Sequence, residues 1–209
     1  MKKKKGITIA EILIATAIIG IIAVVAIPSL CEKYRKGEIE SRLKKAFSTL
    51  RQASMSAQAV GYDWGEWAET YAGKPNWSNL DDEKFFFEHY LKPYVSTLRV
   101  EGYWNSYVTA YLADGVRLWI GSGGCADLHV DINGDKGPNE YGVDIHIFNY
   151  CPEAASGTME TGKLIPYAPK SITTREQAKE LCKSSNGMQC AKLIMMDGWQ
   201  IKKDYPFSI

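Results

Sequence analysis

The sequence lacks the common signatures of catalysis. It has no Gly-x-Ser-x-Gly elbow, no phosphate-binding glycine loop and no His-Glu-x-x-His pair. No nucleophile stands in a recognisable setting, so the expectation is a protein that is not an enzyme. Positive charge is also short. With Lys2 to Lys5 set aside, 21 of the 25 basic side chains remain against 24 acidic ones, a net of −3. Dedicated nucleic-acid binding therefore has no electrostatic support. The N-terminal apolar run lacks a clear small-x-small cleavage site followed by a polar start, which argues against an ordinary secretory signal peptide.

What the N-terminus does hold is a short basic head, Lys2 to Lys5, closed by Gly6, and then an apolar run from Ile7 to Leu30. As a helix that run is about 36 Å long, enough to cross the hydrocarbon core of a bilayer. By the positive-inside rule its basic end stays in the cytoplasm. Glu11 is the one charge inside it. An ionisable group at that depth is costly without a partner and so marks a functional position.

Lys2 to Lys5, Gly6, Glu11 five residues into the apolar run, and Pro28 near its far end together resemble the class III leader of type IV pilins and type II secretion pseudopilins. The resemblance is specific over residues 1–30 and loose beyond. It implies cleavage by a prepilin peptidase between Gly6 and Ile7 and methylation of the new amino group. The family usually has Phe as its first mature residue, where this chain has Ile7. It implies that Glu11 pairs with the terminal ammonium of a neighbouring subunit, and that Pro28 kinks the helix without ending it. The implied partners are further copies of the chain, the peptidase, an assembly platform with its cytoplasmic ATPase, and the inner membrane, with the head in the periplasm or on a surface filament. The alternative is a membrane-anchored periplasmic binding domain that does not assemble.

Beyond the run, Leu43, Ala46, Phe47, Leu50, Ala53, Ser54 and Ala57 recur at three- and four-residue steps among charged neighbours. This predicts an amphipathic continuation of the helix, although two helices joined near Pro28 to Gly37 would read the same way. Residues 61–77 form a linker rich in aromatics (Tyr62, Trp64, Trp67, Tyr71, Trp77) that more often covers a small core than binds a ligand. Asn79 to Tyr90 reads as a helix capped by Asn79 or Asp81 and ended by Lys92-Pro93.

Strands are expected at 106–113, 116–121, 126–132 and 144–150, with Asp114-Gly115 as a hairpin turn. The fold class is thus α+β: a long N-terminal helix, transmembrane in its first half and amphipathic in its second, packed on a small antiparallel sheet, as the pilin resemblance also implies. The expected division is leader 1–6, filament-core helix 7–30, amphipathic helix 31–60 and head 61–209.

Between the last two strands, Asp131, Asn133 and Asp135 alternate and Gly137 and Asp144 follow. Oxygen-bearing residues so spaced can wrap a Ca²⁺ ion. The glutamate of a complete EF-hand loop is missing, with Gly142 in its place, and an Asx-rich turn is the simpler reading. His129 and His146 lie at alternate positions from Asp131 and Asp144. All four could share one face as a metal site, but two exposed strand histidines are the plainer expectation.

Thr173 or Thr174 should cap a helix broken by Asn186-Gly187. Of five cysteines, Cys31 at the membrane exit is the expected leftover. Cys125, Cys151, Cys182 and Cys190 allow three pairings, and the sequence does not choose. Cys182–Cys190, a C-terminal loop such as type IV pilins commonly carry, together with Cys125–Cys151 is the expected set.

Overall fold

The computed structural model describes residues 6–67, 80–102, 108–121, 125–151 and 157–209. Lys2 to Lys5, Tyr71, Trp77, Asn79 and the start of the strand expected from Ser106 lie outside the described residues, as do the side chains of Trp67 and Asp81.

Helix α1 runs unbroken from Ile9 to Ala59, 51 residues or about 76 Å. It passes through Pro28 and Gly37 without a break. The chain divides into two units, one ending at Glu38 and one spanning Ile39–Ser208.

In the first unit α1 carries an apolar surface that the chain itself leaves open. Ile9, Ile12, Leu13, Ile18, Ile22, Val25, Ile27 and Leu30 are all exposed. Among the described residues this is the one helix long and apolar enough to cross a membrane.

In the second unit the rest of α1 turns amphipathic. Ile39, Leu43, Ala46, Leu50, Ala53, Ser54 and Ala57 are buried, which is the spacing one helix face requires. Phe47, half-buried, meets Phe148 at 5.1 Å and Trp199 at 5.0 Å in tilted ring contacts.

The sheet has six antiparallel strands in sequence order: β1 (Thr97–Gly102), β2 (Val108–Leu112), β3 (Arg117–Gly121), β4 (Ala126–Asp131), β5 (Ile145–Tyr150) and β6 (Leu164–Pro166). Its register puts Ala110, Leu118, Val130 and His146 in one row across β2 to β5. Phe148 belongs to that inner face, and its contact with Phe47 places α1 there. Arg117, Asp131 and Ile145 share the outer face. All six residues of β5 are buried, and α5 (Cys190–Met196) packs on β5 and β6.

Trp64, in the one-turn helix α2 (Trp64–Trp67), is buried. Its indole N–H donates to the Tyr90 carbonyl at 3.0 Å, and its ring meets Phe86 and Tyr150. It covers one side of the core, as expected of the linker. Helix α3 (Leu80–Phe86) runs into a π turn at Phe87–Leu91 and a 3₁₀ turn at Lys92–Tyr94. The regular helix is therefore shorter than the apolar spacing suggests.

Helix α4 (Arg175–Ser184) begins at Thr174, not Thr173. Gln177 N–H donates to Thr174 Oγ1 at 3.3 Å, and Gln177 Oε1 accepts from Thr174 N–H at 3.1 Å. After α4 the chain turns at Asn186 and Gly187, both at positive φ. A Cβ on Gly187 would overlap the carbonyl of Tyr141, so this position needs glycine for space as well as for φ. Disulfides join Cys125 to Cys151 and Cys182 to Cys190; Cys31 is free and exposed.

Candidate functional site

The expected processing and assembly residues lie on one stretch of chain. Gly6 and Ile7 precede α1 and are exposed, with nothing within 4 Å of where a Gly6 Cβ would stand. Thr8 then caps the helix. Its hydroxyl accepts from Glu11 N–H at 3.3 Å, and Glu11 Oε2 accepts from Thr8 N–H at 2.7 Å and from Thr8 Oγ1 at 2.8 Å.

This is a reciprocal capping box. The carboxylate also sits where the helix dipole favours negative charge. Both bonds use Oε2, so Oε1 stays open, and among the described residues Thr8 is Glu11's only partner. The sequence carries the signal in Thr8-Ile-Ala-Glu11, but the apolar run around Glu11 drew attention to its charge alone. Pro28 stands 17 residues further along α1, about 26 Å from Glu11. The structure does not bring the two together.

A second constellation gathers on the outer face of the sheet. Asp131, fully buried, accepts from Arg117 Nη2 at 2.6 Å and from Asn133 N–H at 3.2 Å. Burial pushes its carboxyl up to about 6, against the opposing pull of Asn133 and Arg117. Asp135 accepts from Arg117, Arg99 and the Tyr111 hydroxyl, and Asn139 Oδ1 accepts from Arg117 at 3.1 Å.

Asp144, also buried, accepts from Glu140 N–H at 2.7 Å, Asn139 N–H at 2.9 Å and Asn133 Nδ2 at 3.3 Å. Asn133 Nδ2 also donates to the Gly137 carbonyl at 3.4 Å. The residues read as a calcium loop are thus assembled, with the guanidinium of Arg117 among their oxygens. Among the described residues no group of three or more His, Cys, Asp or Glu is placed to hold a metal. Arg117 was missed: the Asp114-Gly115 turn sets it opposite Tyr111, and its place opposite Asp131 follows only from the register of the next pair, β3 with β4.

The two histidines part company. β4 and β5 do pair, but Val130 stands opposite His146, and His129 opposite Ile147. The rings therefore lie on opposite faces, and the four-residue site does not form. Neither ring is exposed. His146 is fully buried, and His129 stacks on Trp119 at 5.2 Å with its Nδ1 3.0 Å from the Tyr141 hydroxyl. Burial drives both imidazoles down to about 4. Strand alternation alone could not show this, because helices and loops cover both faces of the sheet here.

Residues 29–209 match the model of a family of unknown function (DUF6613). The chain belongs to that family. In this DUF6613 protein, residues 1–27 also match the prokaryotic N-terminal methylation motif, the class III prepilin leader of type IV pilins and pseudopilins. No curated protein and no solved structure matches the chain. A leader of this class, an apolar helix continuing into a six-stranded antiparallel head, and two disulfides make an α+β, pilin-like arrangement.

Proposed function

We propose that the protein is a structural subunit of a type IV pilus-like or type II secretion pseudopilus filament. On this reading it is a single-pass inner-membrane precursor with its head outside the cytoplasm. A prepilin peptidase cuts between Gly6 and Ile7 and methylates Ile7, and copies polymerise through residues 7–30. Residues 31–60 then carry the head, 61–209.

The observation that carries this reading is the match of residues 1–27 to the methylation motif. Supporting it, α1 exposes apolar side chains along its whole first half. In lipid such a surface gains little from burial as such, so packing against a like helix and the pairing of polar groups must drive association. Glu11 supplies the polar group. Its open Oε1 and uncompensated charge suit the ammonium that cleavage would create on a neighbouring Ile7. Head-to-tail contacts of this kind build open filaments.

The test is the intact mass and N-terminal sequence of the protein from its native membrane. The expected chain starts at Ile7 with one added methyl group. A chain starting at Met1 in cells that hold the peptidase would leave a plain anchored domain. Glu11→Ala should still insert and be cut, yet yield no filaments in sheared-surface or periplasmic fractions. Normal filament yield from that variant would remove Glu11 from the assembly step.

A further inference from the structure

Strand β1 ends the sheet, and among the described residues no strand pairs with its outer side. Five of its six residues are exposed, among them Leu98 at 73% and Val100 at 40%. A bare strand edge is a template for another strand, and proteins usually blunt it with proline, lysine or a covering loop. Here the strand reads Thr-Leu-Arg-Val-Glu-Gly, with no proline and no lysine.

The ladder fixes which backbone groups are open. Leu112 N–H donates to Val116, on the β3 side, while Ala113 N–H donates to Ser96, on the β1 side. By alternation Tyr111 and Thr109 turn their backbone groups toward β1. Their register partners are Arg99 and Glu101, which therefore bond inward. The N–H and C=O of Val100 and Gly102 point to the open side. Leu98 is the residue inserted at the irregularity between Thr97 and Arg99 and has no register partner on β2.

The side chains fit a copy of themselves. Set two β1 strands antiparallel with Val100 opposite Val100. The two Val100 residues then form a hydrogen-bonded pair, and Gly102 of each copy lies opposite the inserted Leu98 of the other. Arg99 meets Glu101 of the second copy, and Glu101 meets its Arg99. These fall at the non-hydrogen-bonded positions, where side chains stand closest. Leu98 and Val100 of both copies share the other face.

Within one chain Arg99 Nε already lies 3.1 Å from Glu101, its Nη2 bonds Asp135 at 3.3 Å, and its guanidinium covers the Tyr111 ring at 3.8 Å. Its head is thus held on the face where the crossed pair would form. We propose that the open edge of β1 joins the heads of two copies of this chain, antiparallel and centred on Val100. The proposal stands on the head alone and is independent of how the N-terminus is processed or assembled.

The test uses full-length protein in detergent micelles, with Cys31→Ser to remove the free thiol, and single cysteines at Val100 or Glu101 under mild oxidation. In the proposed pair the two Val100 Cα atoms stand about 5.5 Å apart, within disulfide reach, whereas the two Glu101 positions lie about 8 Å apart, beyond it. Val100→Cys should give a disulfide-linked dimer at least tenfold faster than Glu101→Cys. Adding Glu101→Arg to Val100→Cys should cut that rate several-fold by opposing like charges. Far-UV circular dichroism matching the parent would show that each variant folds. Equal rates at the two positions, no dimer at Val100, or cross-linking only to a different polypeptide in native membranes would each overturn self-pairing.

Discussion

Glu83 is fully buried in α3. One carboxyl oxygen accepts from Val108 N–H at 2.8 Å, and the other has no partner among the described residues. Burial pushes the group up to about 8. The folded head therefore holds a proton that the unfolded chain releases above about 4.5, and this contribution to stability falls as pH rises between those values. Glu83→Gln should melt near the parent at pH 5.5 and be more stable by roughly 1 to 3 kcal/mol at pH 8.5, as thermal melts at the two pH values would show.

His129 and His146 act in the opposite sense. Held near 4, they bind fewer protons than the unfolded chain does up to 6.5, so their contribution is lost as pH falls through that window. Arg117→Gln leaves the buried Asp131 without its cation and should cost about 2 to 4 kcal/mol at pH 7.5. The loss should be smaller at pH 5, where Asp131 can protonate, and urea melts at both values would measure it. None of these environments is legible in the sequence. Each depends on which strand covers which, and a single residue does not announce its own burial.

Among the elements, the long helix was legible because two patterns agree: an apolar run followed by three- and four-residue spacing. The middle strands were legible because β-branched and aromatic residues alternate between turn residues. β1 was missed although Leu98 and Val100 alternate with Arg99 and Glu101, because four alternating residues without a turn signal on either side make a weak pattern. β6 was missed because three residues ending in proline fall below any periodic signal.

At the start of α1, Thr8→Ala removes a cap and should cost about 1 kcal/mol locally. Hydrogen exchange at residues 9–12 in micelles should quicken while the head is unchanged. The two disulfides close loops of different size. In the chain-entropy account a separation of 26 residues contributes about 3.5 kcal/mol and one of 8 residues about 2.5 kcal/mol. Replacing Cys125 and Cys151 by alanine should therefore lower the melting midpoint more than replacing Cys182 and Cys190. Calorimetry on the two pairs would decide.

On the scale of the whole molecule, the tail is bound back onto the head by charge. Arg175 holds Asp197 Oδ1 with Nε at 2.7 Å and Asp204 Oδ1 with Nη2 at 2.7 Å, while Lys202 reaches the same Asp197 oxygen at 2.7 Å and Lys179 reaches Asp204 Oδ2 at 3.0 Å. These partners keep both carboxyls below the usual range. Tyr205 donates to the Gly142 carbonyl at 2.6 Å. Arg175→Ala should expose residues 199–209 to limited proteolysis without loosening the sheet.

The strand order has a further meaning for a chain made from its N-terminal end. Every strand after the first finds its partner already in place, so the sheet can zip up vectorially, one hairpin at a time, with low contact order and no waiting for distant sequence. The closures onto the helix are remote: Phe47 meets Phe148, Arg42 donates to the Ile132 carbonyl across 90 positions, and Ile201 N–H donates to Glu40 across 161. The last of these bonds ties the tail to the helix that was made first. A head that has made it is a chain synthesised almost to its end.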